Sequence, residues 1–166
     1  MKKKLFAYFL LFFGSFAAFC QSSLVPSSEE QKIERVIREV FDGYKAGDST
    51  RVGDLFTKDA VLQTAFYNKE GKSQLSELMP VSKFLSYIGS GLQKVHDERI
   101  WNLSVKVDNN LASAWTNYAF YLNGQFLHCG AENFLLIQTS EGWTIFHLVD
   151  TRQQTGCSVP DFIKNQ

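Results

Sequence analysis

The spacing of the hydrophobic residues changes near residue 95, and this change limits the fold more than any other feature of the sequence. Before it, apolar side chains recur every three or four residues, as on the buried face of a helix, at Ile33, Val36, Ile37, Val40, Phe41 and Tyr44. After it, apolar and polar residues alternate, as in a half-buried strand, with the apolar positions at Trp101, Leu103, Val105 and Val107. Helices followed by strands predict an α+β domain whose helices pack on one face of an antiparallel sheet.

Capping and turn residues mark where the predicted elements begin and end. Ser27 and Glu30 have capping-box spacing and start a helix that ends near Gly47. Asp48 caps a short second helix, and Pro80 begins a third. The buried side of the third helix is predicted to hold Val81, Phe84, Leu85 and Ile88.

The remaining segments are predicted to be strands and one excursion. A strand is expected at residues 59–66, followed by a polar, mobile excursion at 67–78. Turns at 108–110, 123–124 and 140–142 divide the rest into four long strands, the last three at 111–122, 125–138 and 143–152.

Residues 1–20 have the pattern of a secretory signal peptide. Lys2, Lys3 and Lys4 precede an apolar run too short to cross a bilayer comfortably, and cleavage after Cys20 leaves Gln21 as the new N-terminus. The alternatives are a lipoprotein acylated on Cys20 and an uncleaved membrane anchor. The sequence therefore predicts an exported protein, periplasmic or secreted, with no stable membrane span once the signal is removed.

The predicted organisation is a signal peptide at 1–20, a disordered lead-in at 21–28, one domain at 29–157 and a C-terminal tail at 158–166. The 17 Lys and Arg residues balance 17 Asp and Glu residues, which argues against a general nucleic-acid binder because such proteins need a basic face. After cleavage two cysteines remain, Cys129 and Cys157. In an oxidising compartment they form either a disulfide that ties the last segment to a strand or two buried free thiols.

Three stretches of the sequence resemble the nuclear transport factor 2-like superfamily, most closely its small bacterial SnoaL-like and lumazine-binding-like members. They are GYKAGDSTRVGDLFTKDAVL (Gly43–Leu62), LASAWTNYAFYLNG (Leu111–Gly124) and GWTIFHLVDTR (Gly142–Arg152). The resemblance implies a cone-shaped, curved antiparallel sheet wrapped around about three helices, with a pocket opening between them. These stretches consist of packing and turn residues, so they indicate the fold and leave the activity open.

The register of the last hairpin decides which residues face the cone interior. Closing the hairpin at Gln138 and Trp143 pairs Phe134 with His147, Glu132 with Val149 and Gly130 with Thr151. We assign to the interior the face that carries Phe134, Leu136, Trp143, Ile145, His147 and Val149, with Glu132 and His128 farther along. The opposite face, with Leu135, Ile137, Phe146 and Leu148, is a candidate homodimer surface. A bulge near Gly130 would exchange the two faces beyond it.

On this register, His147 is the candidate catalytic base, with Glu132 or Tyr118 assisting. The alternatives are a core histidine bonded to a backbone carbonyl or a tyrosine, and a rim carboxylate at Glu132 paired with Arg152. Asp150 and Arg152 are expected to form an ion pair at the mouth of the cone. The candidate ligand-binding residues are Trp101, Trp115, Tyr118, His128, Phe134 and His147. The aromatic residues among them serve equally well as ordinary core residues.

Several chemistries have no support in the sequence. The spacing of His96, His128 and His147 matches no metal motif, so neither a metal nor a cofactor is expected. A GxSxG elbow, a complete Gly-rich phosphate loop and a Cys-x-x-Cys pair are absent from the sequence. The leading hypothesis is an exported cone that binds a small, mainly hydrophobic or aromatic molecule without turnover. The alternatives are a cofactor-free proton-transfer enzyme of the isomerase, dehydratase or cyclase type that uses His147, and a structural or interaction domain whose interior is filled by side chains.

Overall fold

The computed structural model describes residues 28–90 and 94–166. The predicted signal peptide, the acylation alternative at Cys20 and residues 21–27 of the lead-in lie outside the described residues. The helices of the described residues are α1 (Ser28–Ala46), α2 (Ser49–Gly53), α3 (Val81–Gly89) and α4 (Asp161–Lys164). The strands are β1 (Phe56–Tyr67), β2 (Ser73–Leu75), β3 (Met79–Pro80), β4 (His96–Asp108), β5 (Leu111–Leu122), β6 (Gln125–Thr139) and β7 (Gly142–Thr151).

The helices begin and end close to the residues that the sequence indicates. Gly47, with φ of 70°, follows the last residue of α1, and only glycine adopts this backbone conformation without steric cost. Asp48 caps α2, since its carboxylate accepts a hydrogen bond of 3.0 Å from the backbone N–H of Arg51. Helix α3 follows Pro80 directly. Among residues 28–90 and 94–166, none of the helices combines the length and the apolar character that crossing a bilayer requires.

The strands form one curved, unclosed sheet in the order β2–β1–β7–β6–β5–β4, with β3 paired to β1. Strands β4 to β7 are the predicted antiparallel meander, whereas β1 runs parallel to β7. The concave face packs on α1 in the main core, where Ile33, Ile37 and Phe41 meet Phe134 and Leu136. This confirms the predicted α+β cone and adds a parallel pair that the prediction did not contain.

The predicted register of the last hairpin is wrong beyond Leu136. Gln138 pairs with Trp143 as expected, but a bulge follows, and Leu135 pairs with His147. The inner face of β7 passes from the buried Ile145 directly to the buried Leu148, because the bulge adds one residue to this strand only. His147 therefore lies on the outer face of the sheet, and the inner face continues through Leu148.

A second bulge changes the side on which Trp101 lies. In β4 the pairing with β5 shifts between Trp101 and Ser104, and Asn102 adopts a φ of 55°. Leu103 packs against the main core, whereas Trp101 packs in a separate cluster on the outer face. The predicted alternation of Trp101 with Leu103 on one face is therefore wrong, because Asn tolerates the left-handed conformation that a bulge needs.

The C-terminal segment covers part of the outer face. Residues 158–166, which were predicted to be a tail, include α4, and Ile163 is 1% exposed in the outer cluster. The Arg99 guanidinium donates hydrogen bonds of 3.0 and 2.9 Å to the carbonyl oxygens of Ile163 and Lys164. A disulfide joins Cys129 on β6 to Cys157, which is the first of the two alternatives for these cysteines.

Candidate functional site

A cavity of about 570 Å³ opens between α1, α3 and the inner face of the sheet. Its apolar and aromatic lining includes Val40, Phe41, Tyr44, Leu62, Met79, Phe84, Phe134 and Leu148. Its ionisable lining consists of Glu98, Glu132, Asp150 and Arg152, with Glu77 and Lys83 on exposed positions. Such a mixture of apolar walls and few convergent polar groups is typical of ligand sites.

Asp150 and Arg152 form the ion pair that the sequence predicts. The Nε of Arg152 donates a hydrogen bond of 2.6 Å to Oδ2 of Asp150. Asp150 is buried, whereas the Arg152 side chain is 57% exposed. The bulge in β7 positions both residues, because it places Leu148, Asp150 and Arg152 on the inner face at alternate positions.

Glu132 is the most deeply buried carboxyl group of the cavity. Glu132 is 5% exposed, and its Oε2 is buried without a hydrogen-bond partner in the protein. Burial raises the pKa of Glu132 well above the usual value of 4.5, and the neighbouring Glu98 and Asp150 carboxylates raise it further, against the opposing effect of Arg152. Glu132 therefore holds a proton at a pH where an exposed glutamate is ionised.

Glu98 is the second carboxyl group with an unusual pKa. It comes from β4, on the opposite edge of the antiparallel meander from β7. Burial raises the pKa of Glu98 to about 7, and Arg152 opposes this rise. Two carboxyl groups with raised pKa values thus share one cavity, and this brings proton donors and acceptors closer to physiological pH.

Tyr118 lies behind the carboxyl groups on the inner face and is fully buried. Its hydroxyl donates to the carbonyl oxygen of Thr151 at 3.0 Å and lies 3.4 Å from Oδ2 of Asp150. Burial raises the pKa of Tyr118, and the Asp150 carboxylate raises it further, so this hydroxyl stays protonated. It acts as a fixed support for the strand end that carries Asp150.

His128 also lies on the inner face, next to Tyr118. Its ring packs edge-to-face against Tyr118 and Phe120, with centroids 5.6 and 5.0 Å apart. Burial lowers the pKa of His128, and the positive charge of Arg152 lowers it further. The histidine is therefore held in its neutral form beside the cavity and not among its lining residues.

The structure brings only part of the predicted site together. Glu132 and Phe134 line the cavity, and Tyr118 and His128 stand next to it. Three predicted ligand-binding residues are not in its lining: His147 lies on the outer face, Trp101 lies in the outer cluster, and Trp115, 50% exposed, lies in an outer groove. The predicted role of His147 as a base in the cone is therefore not supported by its position.

Of the four ionisable groups that meet in the cavity, the prediction from sequence omits Glu98 and does not assign Asp150 and Arg152 to the interior. Alternation continued backwards from Leu103 puts Glu98 on the outer face, and the bulge at Asn102 reverses this. The unbulged register turns Asp150 and Arg152 outwards, so it predicts only an ion pair at the mouth. An Asn in the middle of a strand is the one available signal for the bulge in β4.

The three histidines do not converge. His96 is buried at the start of β4, where its Nε2 lies 2.9 Å from the Tyr87 hydroxyl, while His147 is on the opposite face of the sheet. In the part of the chain that the structure describes, no group of three or more His, Cys, Asp or Glu side chains is arranged to hold a metal ion.

An unclosed, curved sheet around helices, with a cavity in its concave side, defines a nuclear transport factor 2-like protein. Residues 28–148 match the sequence profile of the family described as "Putative lumazine-binding", and the chain belongs to this family. No functionally curated protein matches the chain.

Solved structures agree with this assignment at the level of the fold. An NTF2-like protein from Cytophaga hutchinsonii is 8% identical, with a TM-score of 0.62, over 76% of this chain and 100% of that one. An NTF2-like protein with a cystatin-like fold from Novosphingobium aromaticivorans is 12% identical, with a TM-score of 0.58, over 78% of this chain and 84% of that one. An NTF2-like protein of unknown function from Shewanella baltica is 16% identical, with a TM-score of 0.53, over 74% and 92% of the two chains.

Proposed function

We propose that this protein is an exported domain that binds a small, mainly hydrophobic or aromatic molecule in the cavity, with a polar part of that molecule against the carboxyl groups. The observation that carries the proposal is the open volume of about 570 Å³ between apolar and aromatic walls, which is the size of ordinary small-molecule sites. An interior filled by side chains, as a purely structural domain would have, does not fit this volume. The description of the family adds support for a planar heterocyclic ligand.

The test compares two substitutions by tryptophan. Met79 lines the cavity and is half-buried, whereas Leu75 on β2 is 59% exposed and is not among the lining residues. Met79→Trp is expected to weaken binding of the neutral fluorescent probe N-phenyl-1-naphthylamine at least about tenfold, which corresponds to about 1.4 kcal/mol. Leu75→Trp should leave the affinity within about twofold. Equal affinities for both variants would contradict binding in this cavity.

Export is supported by the disulfide and by the sequence of residues 1–20. A Cys129–Cys157 bond persists in an oxidising compartment and is rare in a reducing one. Intact-mass spectrometry of the protein secreted by a bacterial host should show a chain that begins at Gln21 and lacks two hydrogens. A mass that includes a diacylglycerol on Cys20 would instead establish the lipoprotein alternative.

A homodimer through the outer sheet face remains part of the proposal, with a corrected set of residues. Leu148 belongs to the core, but Leu135 is half-buried on the outer face, and Ile137 and Trp115 there are 36% and 50% exposed. Sedimentation velocity at about 10 µM is expected to give a dimer that Ile137→Lys converts to a monomer. A wild-type monomer at this concentration would refute the dimer.

Proton-transfer catalysis is the second candidate function, and Glu132 favours it in place of His147. A protonated carboxyl in a partly apolar cavity is suited to general acid–base chemistry near neutral pH. If the protein is an enzyme that transfers a proton to or from carbon, its substrate should gain carbon-bound deuterium when it is incubated with wild type in D2O. The same substrate incubated with Glu132→Gln should gain none. Identical labelling by both proteins would exclude Glu132 as the acid–base group.

A further inference from the structure

We infer that the cavity selects a cationic aromatic ligand, of the amidine or protonated amino-heterocycle class, and that Glu132 and Glu98 recognise its N–H groups. This inference rests on the proposed function and adds the chemical class of the ligand. It assigns a charge preference to the site, which neither the fold nor the apolar walls specify.

One oxygen of Glu132 has no hydrogen-bond partner in the protein. Glu132 lines the cavity, is 5% exposed, and has an Oε2 that is buried and accepts no hydrogen bond from the protein. A buried carboxyl oxygen without a donor costs free energy, and a charge-assisted bond to a ligand N–H recovers that cost. The position of this oxygen therefore calls for a donor from the ligand.

Carboxyl groups outnumber cationic groups deep in the cavity. Glu98, Glu132 and Asp150 are three carboxyl groups, and the one guanidinium among them, that of Arg152, is already bonded to Asp150 at 2.6 Å. Lys83 occupies an exposed position at the mouth. Once Glu98 and Glu132 are ionised, a cation balances their negative charge, whereas an anion placed deep in the cavity is repelled by it.

The walls around the carboxyl groups are largely aromatic. Phe41, Tyr44, Phe84 and Phe134 line the same cavity. Aromatic walls favour a flat aromatic frame and also attract cations through the faces of their rings. A delocalised cation on an aromatic frame satisfies the walls and the carboxyl groups together.

The charge preference makes binding dependent on pH. The titratable and charged groups around Glu132 and Glu98 are Tyr44 on α1, Tyr118 on β5, His128 on β6, Asp150 on β7 and Arg152 directly after β7. Burial keeps both carboxyl groups protonated to a higher pH than usual. A cation binds the ionised form, so binding releases a proton near neutral pH, and affinity increases as the pH rises.

The experiment uses three probes that share one bicyclic frame: 2-naphthamidine, 2-naphthamide and 2-naphthoate. Isothermal titration calorimetry at about pH 8 is expected to show that 2-naphthamidine binds at least about tenfold more tightly than the other two, since a charge-assisted bond is worth about that factor. Lowering the pH to about 5.5 should weaken 2-naphthamidine binding about tenfold or more. Titrations in buffers of different ionisation enthalpy should show uptake of protons by the buffer.

Matched variants assign the effect to the two carboxyl groups. Glu132→Gln and Glu98→Gln should each reduce the preference for 2-naphthamidine over 2-naphthamide about tenfold or more, and two variants guard against a failure of one to fold. Glu141→Gln removes the same charge from an exposed turn outside the cavity and should leave the preference unchanged.

Each remaining outcome overturns the inference. Tighter or equal binding of 2-naphthoate would show that the carboxyl groups do not set the charge preference, while the proposed function would stand if Met79→Trp weakened that binding. Binding of none of the three probes up to about 1 mM would also reject the ligand class. The N-phenyl-1-naphthylamine comparison would then decide independently whether the cavity binds ligands at all.

Discussion

Replacing Glu98 with glutamine is expected to stabilise the protein at neutral and alkaline pH and to have little effect in acid. Burial raises the pKa of Glu98 from 4.5 to about 7, so the folded protein keeps a proton there that the unfolded chain releases. The favourable contribution of this protonated group is complete below about pH 4.5 and is lost as the pH rises through about 7. At about 1.4 kcal/mol per pH unit, the loss is about 3 kcal/mol in the free energy of unfolding.

The comparison between wild type and Glu98→Gln isolates this effect from the other titrating groups. Glutamine keeps its shape and loses no proton, so the variant should gain about 3 kcal/mol over wild type between about pH 4.5 and pH 8. The charge of Glu98 also raises the pKa of Glu132, so its removal eases the ionisation of Glu132 and adds a change of the same sign. Burial lowers the pKa of His128, so this histidine lowers the free energy of unfolding of both proteins in acid. Because the effect is the same in wild type and in Glu98→Gln, it cancels to first order in the difference between them.

Urea unfolding followed by far-ultraviolet circular dichroism at several values between about pH 5 and pH 8 measures the difference directly. Glu141→Gln is the control, because this exposed glutamate should give a curve parallel to wild type. If Glu98→Gln also runs parallel to wild type across this range, the reasoning about the buried carboxyl groups is wrong.

Three further predictions follow from contacts outside the carboxyl cluster. Gly130→Ala should destabilise the protein by more than about 2 kcal/mol in urea unfolding, because a Cβ at Gly130 would overlap the carbonyl oxygen of Thr151; a loss below about 0.5 kcal/mol would contradict the close approach of the two strands. Replacing both Cys129 and Cys157 with alanine should cost about 3 kcal/mol, since their bond closes a loop across a sequence separation of 28, and an unchanged urea midpoint would contradict this. His147→Ala should leave the affinity for N-phenyl-1-naphthylamine within about twofold in a fluorescence titration, because His147 is on the outer face of the sheet; a tenfold loss would refute the assignment of faces.

The fold was predictable because local residues determine most of its elements. Asp48 caps α2 wherever that helix packs, and β5 has the predicted ends Leu111 and Leu122 because Asn109 and Asn123 adopt positive φ in the turns beside it. The pairing of β1 with β7 depends on distant segments. Its parallel direction comes from the assembled sheet, and no pattern within either strand contains it.

The candidate site was not predictable to the same extent, because strand faces depend on counting residues without error. In β4, one bulge at Asn102 reverses the faces upstream, which turns Glu98 inwards and Trp101 outwards. The alternation of apolar and polar residues predicts which residues share a face of the strand. It contains no signal for the position of a β-bulge, where the strand gains one residue and the faces exchange. Glu132 was assigned correctly because no bulge lies between it and the inward-facing Phe134 and Leu136 on β6.

The bulge in β7 shows how one extra residue changes the chemistry of the cone. Without it, the inner face of the strand would continue from Ile145 through His147 and Val149, and the cavity would have one imidazole and no charged pair. With it, Leu148, Asp150 and Arg152 follow Ile145, so an ion pair enters the cavity beside Glu98 and Glu132. The Asp150 carboxylate contributes to the raised pKa of both glutamates. The unusual proton affinity of the site is therefore partly a consequence of strand register, and it cannot be transferred to a relative by matching Glu98 and Glu132 alone.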